Sequence, residues 1–382
     1  MKKVLYGTTA LVAAGVMGAG SADAKISLGL GGYMNTFFSV ASINESDDVT
    51  QDYNPTGLYS DGEVHFVGSY KHDNGITFGA NVQLEMFSGG DNIDEKYAFV
   101  DGDFGRILAG SENSAAYIMH YAAPTVGLPV NSGWQTVFIP ATDLGMSGLF
   151  RSPGGSTYLD WGNDENVITY FTPRFWGFQL GVTYAPTISG SGDGKNFPVE
   201  ADTETEYHNG FAIGLNYVED FNGFGVAISG GYRYATVDDL RSDPPAGTAA
   251  DDYQAVSAGI NLSYAGFTIG GSYANEMEGK QSCAPASCTA GITSSTEGYA
   301  WDVGVSYAFG PWAFGVTYFQ GNSEGDLADP DDDEMQAISG GLSYALGPGI
   351  TARGGVMWVE WEPEDLDSQS GVVGAFGLSF SF

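Results

Sequence analysis

The chain has 382 residues, with 47 Asp and Glu against 13 Lys and Arg and a formal charge of −34. That balance excludes a nucleic-acid partner, because phosphate binding needs clustered cations. With 57 Gly, 22 Tyr, 23 Phe and only 16% charged residues, the composition is unlike that of soluble α/β domains and suits many aromatic-rich strands.

Residues 1–24 read as an export leader, a cleaved signal peptide. Lys2 and Lys3 precede an apolar run of small residues, and Ala22-Asp23-Ala24 has the small-x-small pattern that a signal peptidase cuts after. The run is too short and too rich in Gly and Ala to cross ~30 Å of hydrocarbon as a helix. Nothing beyond it is apolar for long enough to predict a transmembrane helix.

From Lys25 to Phe382 one pattern recurs: some ten alternating residues, a tight turn, another alternating run, then a longer polar connection. It predicts strands at 25–40, 62–71, 75–86, 95–101, 105–112, 165–175, 177–186, 207–220, 223–236, 252–264, 266–275, 298–309, 311–321, 334–346, 349–361 and 371–382. Tight turns such as Asn222-Gly223, Ala265-Gly266 and Gly310-Pro311 alternate with long acidic connections at 42–61, 187–206, 237–250, 276–297 and 322–333. Ile76, Phe78, Ala80, Val82 and Leu84 alternate with Thr77, Gly79, Asn81, Gln83 and Glu85. Such strands are half apolar and half hydrated, and their mean hydropathy averages to −0.09 over the chain. Short turns on one side, long loops on the other and an even strand count predict an all-β fold: residues 25–382 as one transmembrane antiparallel β-barrel of about 16 strands.

A second repeat is Gly-x-x-Tyr, at 181–184, 214–217, 304–307, 315–318 and 341–344. Tyr264, Tyr307 and Tyr344 precede short turns, whereas Tyr184, Tyr273 and Tyr318 stand at long-loop ends, so aromatic girdles are expected at two levels. Cys283 and Cys288 are close enough for a local disulfide pinning a loop tip, with free thiols the alternative. No metal site is expected from them, since further ligands are lacking nearby. The run Asp329-Pro330-Asp331-Asp332-Asp333-Glu334 is either a solvated loop or an oxygen-rich site for a divalent cation such as calcium.

The segment Asn166-Val167-Ile168-Thr169-Tyr170-Phe171-Thr172-Pro173-Arg174-Phe175-Trp176-Gly177-Phe178 is similar to the Asn-x-Ile-x-Tyr-x-x-Pro-x-x-x-Gly-Phe hairpin of general diffusion porins from Gram-negative bacteria, most like their alphaproteobacterial branch. With the leader, the strand count and the terminal Phe382, the resemblance covers the whole mature chain. Where that family often carries a pore-facing Arg, Thr169 stands here. The resemblance implies an outer-membrane homotrimer, each barrel narrowed by a third external loop folded inward. Here that loop is 113–164, whose Trp134, Val137, Phe138, Ile139, Leu149 and Phe150 are too apolar for a freely solvated loop.

The implied function is passive diffusion of small hydrophilic solutes and ions through a water-filled, non-enzymatic channel in the outer-membrane lipid. Acidic constriction candidates are Asp143, Asp160, Asp164 and Glu165. Basic wall candidates are Lys96, Arg106 and Arg353, with His65 and Arg233 ranked behind them. The scarcity of cations predicts cation preference. A substrate-specific channel, for example sugar-selective, is the alternative. A plugged structural barrel comes next, and a barrel enzyme last, because His65, His72, His120 and His208 are scattered outside any nucleophile motif.

Overall fold

The alternating segments pair into a single antiparallel sheet that closes on itself in a computed structural model, which describes residues 26–44, 53–86, 93–133, 135–140, 154–160, 165–188, 206–238, 251–279, 281–282, 294–328 and 331–382. The first wall strands are β1 (Ser27–Asn44), β2 (Thr56–Lys71), β3 (Thr77–Glu85), β4 (Lys96–Gly102) and β5 (Gly105–Ser111). After two single-turn helices, α1 (Ala115–Ile118) and α2 (Gln135–Phe138), come β6 (Asn166–Phe171), β7 (Phe178–Ile188), β8 (Glu206–Phe221), β9 (Phe224–Asp238), β10 (Tyr253–Tyr264) and β11 (Phe267–Glu278). A two-residue strand, β12 (Gln281–Ser282), continues that hairpin. The wall ends with β13 (Ser294–Phe309), β14 (Trp312–Asp326), β15 (Asp333–Gly347), β16 (Ile350–Glu362) and β17 (Gln369–Ser381). Discounting β12, sixteen strands make the ring, and each corresponds to one expected from the alternation. β1 pairs with β2 on one side and β17 on the other, which closes the sheet.

Several strands run further toward the loops than the alternation indicated. β2 begins at Thr56, β13 at Ser294, and β14 continues to Asp326. The extensions of β13 and β14 are polar on both faces, so no period-2 contrast marks them, and that of β2 carries only Leu58 and Tyr59 among polar and small residues. β6 is shorter than expected and stops at Phe171, two residues before Pro173, which has no N–H for the ladder. At the turn after β8, Asn222 and Gly223 both take positive φ, +58° and +93°, as a two-residue hairpin requires.

The faces separate as the sequence implied. On β3, Phe78 and Ala80 are exposed outward while Asn81 and Gln83 are buried on the lumen side. Leu30, Phe66, Ile168, Ile269, Val316 and Phe376 form part of an exposed apolar outer surface, the reverse of a water-soluble protein. Two aromatic levels rim it. Phe267 meets Tyr307 at 4.3 Å and Trp312 meets Tyr344 at 4.5 Å near the short turns, while Tyr184 meets Phe211 at 5.0 Å and Trp301 meets Tyr318 at 5.1 Å near the loops.

A cation placed between those levels on the outer face is therefore expected to be costly. Val316→Arg should destabilise the barrel by about 2–4 kcal/mol, and Val316→Leu by well under that. Urea unfolding of vesicle-inserted protein measures both, and equal effects would contradict the outward placement.

Candidate functional site

Between Ser111 and Asn166 the chain turns into the barrel, and its described residues line the inner wall from β7 round to β2. Ser114 caps α1: its Oγ accepts the Tyr117 N–H at 3.4 Å. The same oxygen accepts hydrogen bonds from Arg233 of β9, at 3.0 Å from Nε and 2.6 Å from Nη2. Arg233 is 1% exposed, and Asp160, at the loop's return, and Glu276 lie within its electrostatic reach. A buried guanidinium needs such company.

Beyond α1 the backbone advances strand by strand, its polar groups satisfied by inward side chains. Thr183 Oγ1 accepts from the Ala115 N–H at 2.9 Å, and Ser229 Oγ from the Tyr121 N–H at 2.9 Å. Asn261 donates to the Ala122 carbonyl at 2.9 Å, Thr317 to that of Pro124 at 2.7 Å and Ser339 to that of Leu128 at 2.6 Å. Further round, Trp361 Nε1 donates to the Ile139 carbonyl at 3.2 Å and Gln369 to that of Pro140 at 2.7 Å. Backbone pressed so close needs room. A Cβ at Gly181 would lie 2.7 Å from that of Ala115, one at Gly304 2.8 Å from the Pro124 oxygen, and one at Gly315 2.9 Å from Val126. At Gly214 and Gly341 it would collide outright with the Ala115 and Val126 carbonyl oxygens. These five are the glycines of the Gly-x-x-Tyr repeat. Three residues apart on a strand means opposite faces, so each Tyr serves the outer girdle while each Gly seats the loop. The repeat is visible in the sequence, where its tyrosines point to a girdle and nothing local marks its glycines as a seat.

Apolar contacts complete the seat. Leu128, Val130, Phe138 and Ile139 pack with Phe37, Phe319, Met335, Met357, Val359 and Trp361, while Ala115, Ala116, Met119 and Leu159 pack over β6–β10. Phe138 and Ile139 thus stand where their apolarity implied; Trp134, Leu149 and Phe150 lie outside the described residues.

The expected charge constellation is placed only in part. Asp143 and Asp164 lie outside the described residues, as do Cys283, Cys288 and the leader. Glu165 is buried at the loop's end, where its carbonyl accepts the Glu112 N–H at 3.3 Å. Arg106 is on the lumen side, 3.5 Å from Asp101 and 4.5 Å above the Phe99 ring. Arg353 also points inward, on the face of β16 shared by Met357 and Trp361, with Nη1 3.5 Å from Ser379 Oγ. Lys96 corrects the expectation. It pairs with Val82, so it shares the outward face of β3 and β4 with Ala80 and Ala98, whereas Tyr97, Phe99 and Asp101 point in. With rings inward and a lysine outward, this seven-residue strand carries too little polarity contrast to reveal its parity.

What the sequence did not single out is acid on the wall itself. Asp61 and Glu63 alternate with outward Ser60, Gly62 and Val64, and Glu63 pairs directly with Glu85. Glu63 Oε1 accepts from Tyr33 Oη at 2.9 Å, and its Oε2 lies 2.7 Å from His65 Nε2. Among the described residues, Glu63, Asp94 and Glu95 each offer a ligand atom within 4.8 Å of the others, a set that could meet round one cation; Asp329 and Pro330 of the acidic run lie outside the described residues.

A family model described as Gram-negative porin matches residues 7–362. The chain belongs to the Gram-negative porin family. It is thus an outer-membrane β-barrel channel for diffusion. Among solved structures the porin resembles an anion-selective porin from Comamonas acidovorans at TM-score 0.59 and 15% identity, covering 94% of this chain and 100% of that one. A structure described as porin refined at 1.8 Å resolution gives 0.58 and 17% over 93% and 100%, and OmpT of Vibrio cholerae 0.58 and 11% over 96% and 99%. No curated protein sequence matches it.

Two outcomes follow. Gly341→Leu should leave a folded barrel but displace the loop from its seat, changing single-channel conductance; an unaltered step size would contradict the seat. His120 is 2% exposed in the loop, with Nε2 3.2 Å from Thr157 Oγ1, and burial pushes its pKa down from 6.5 to about 3. Its contribution to loop packing is therefore whole above pH 6.5 and is lost as pH falls toward 3. Open-channel current noise should rise on acidification to pH 4 more in the wild type than in His120→Gln.

Proposed function

We propose that this porin is a cation-preferring general diffusion channel whose selectivity is set by the acidic wall of β2 and β3. The observation that carries the reading is the cross-strand pair Glu63–Glu85 with Asp61 beside it, all on the lumen face. Carboxylates directly opposite one another repel and cost stability. Their use on the lumen face is accounted for if mobile cations are drawn between them. Among the described residues, the three inward Arg do not offset this. Arg233 is committed beneath the loop, Arg106 faces Asp101, and Arg353 is half-buried near Ser379. A fold shared with a porin described as anion-selective does not dictate the sign of selectivity, so the sign must come from such wall residues.

The external rim adds to the same field. Glu364, in the connection between β16 and β17, has its pKa pushed up to about 6 by partial burial and by Asp333, Asp365 and Asp326. The Glu364 charge is therefore nearly complete above pH 7 and falls as pH drops through about 6. In this reading the wall sorts neutral solutes by size, the leader is removed on export, and the functional unit is a homotrimer.

Reversal potentials across a planar bilayer in a KCl gradient test this. The wild type should favour K⁺, more at pH 7 than at pH 5, and Glu63→Gln with Glu85→Gln should move the permeability ratio severalfold toward unity. Anion preference of the wild type would overturn the reading. Liposome swelling that saturates with one sugar, instead of falling with solute size, would point to the specific channel.

A further inference from the structure

We propose that Asp302 is the positioning residue that sets the aperture of the constriction, because a single wall carboxylate gathers both limbs of the inward loop. The inference rests on the channel reading above and concerns how the channel is held open.

Asp302 projects inward from β13 and is 3% exposed. Both its oxygens lie 3.2 Å from the Ala123 N–H. Oδ1 also accepts from Ser272 Oγ at 2.6 Å, and Oδ2 from Asn131 Nδ2 at 2.7 Å. Ala123 and Asn131 belong to the outgoing limb. The returning limb joins through Thr157, whose N–H donates to Asn131 Oδ1 at 3.0 Å. Its Oγ1 lies 2.6 Å from Asn131 Nδ2, 2.8 Å from Ser272 Oγ and 3.2 Å from His120 Nε2. Asn131 and Thr157 are 6% and 0% exposed, so water does not substitute for these bonds.

Most other wall groups that bond the loop are neutral and grip one carbonyl or one N–H. Asp302 accepts three donors as an anion, and hydrogen bonds to an ionised acceptor are about twice as strong as neutral ones. Replacing it by an amide leaves one acceptor oxygen for three donors and turns an NH2 toward either Asn131 or Ser272. Loss of this group alone should therefore free the loop from the middle of its track, while the ladder hydrogen bonds of β13 remain.

The full-length protein in planar bilayers tests the assignment with Asp302→Asn, Asn131→Ala and a third variant. The third carries Asp302→Asn with Thr157→Cys and Ser272→Cys, in a chain with Cys283→Ser and Cys288→Ser. All should keep β-type circular dichroism. Asp302→Asn should populate a displaced loop about tenfold more, the loss of one charge-assisted hydrogen bond. That displacement is read as a lower closing voltage and greater open-state current variance. Asn131→Ala should shift both in the same direction, and the engineered disulfide should restore both until dithiothreitol is added. Wild-type variance and closing voltage in Asp302→Asn, or in Asn131→Ala should the former not fold, would overturn the proposal. Absence of conductance in the wild type would instead sink the channel reading.

Discussion

Closure of the sheet is the constraint from which the rest of the molecule follows. Inside a bilayer no water is present to bond an unpaired N–H or C=O, so a sheet with an open edge is excluded. Here the edge is abolished where β1 meets β17, and the junction continues past the strand: Gly32 donates to the Phe382 carbonyl at 3.0 Å and Phe382 to that of Gly32 at 3.1 Å. Once the backbone is satisfied, the side chains are free to differ between faces. That freedom allows Val316 and Phe376 to be exposed while Asn81 and Gln83 are enclosed. A ring of ~16 strands is also too wide for its inward side chains to meet, so the centre stays open unless something else enters.

The loop that enters brings its own polar backbone, and this divides the lumen wall into two kinds of surface. Where the loop lies, the wall offers glycines at points of close approach, hydrogen-bonding side chains such as Thr183, Ser229, Asn261, Thr317 and Ser339 to its backbone, and Phe319, Met357 and Trp361 to its apolar side chains. Buried backbone groups require such partners. Along β2 and β3 the wall carries ionisable residues instead, Asp61, Glu63, His65 and Glu85. Among the described residues, the two compositions on one inward face follow how closely the loop backbone approaches each stretch.

This division explains which parts of the architecture could be read from the amino-acid sequence. Strand number, turn positions and aromatic levels depend on period-2 contrast and on Gly and Asn at hairpin turns, both local properties. Lys96 shows the limit: parity inferred along a short strand depends on contrast between its faces, and β4 has Tyr97 and Phe99 on the wet side. Asp302 shows another. In sequence it is an acidic residue between Trp301 and Val303, and nothing local records that Ala123, Asn131 and Ser272 converge on it. The seat glycines lie between these extremes: their spacing is periodic in the sequence, but the loop backbone that needs them is distant in the chain.

The pair Glu63–Glu85 carries the last step. Two carboxylates facing each other across a strand pair repel, and lowered dielectric inside a narrow wall strengthens that repulsion. Tyr33 hydrogen-bonds one of them and His65 approaches within 2.7 Å, which reduces the cost without removing the charge. In a packed core one member of such a pair would take up a proton. At a wall open to electrolyte, mobile counter-ions can screen it, and the same field that repels the carboxylates from one another raises the local cation concentration. The strain on the barrel and the attraction for cations are therefore one electrostatic quantity, read once from the protein's side and once from the solute's.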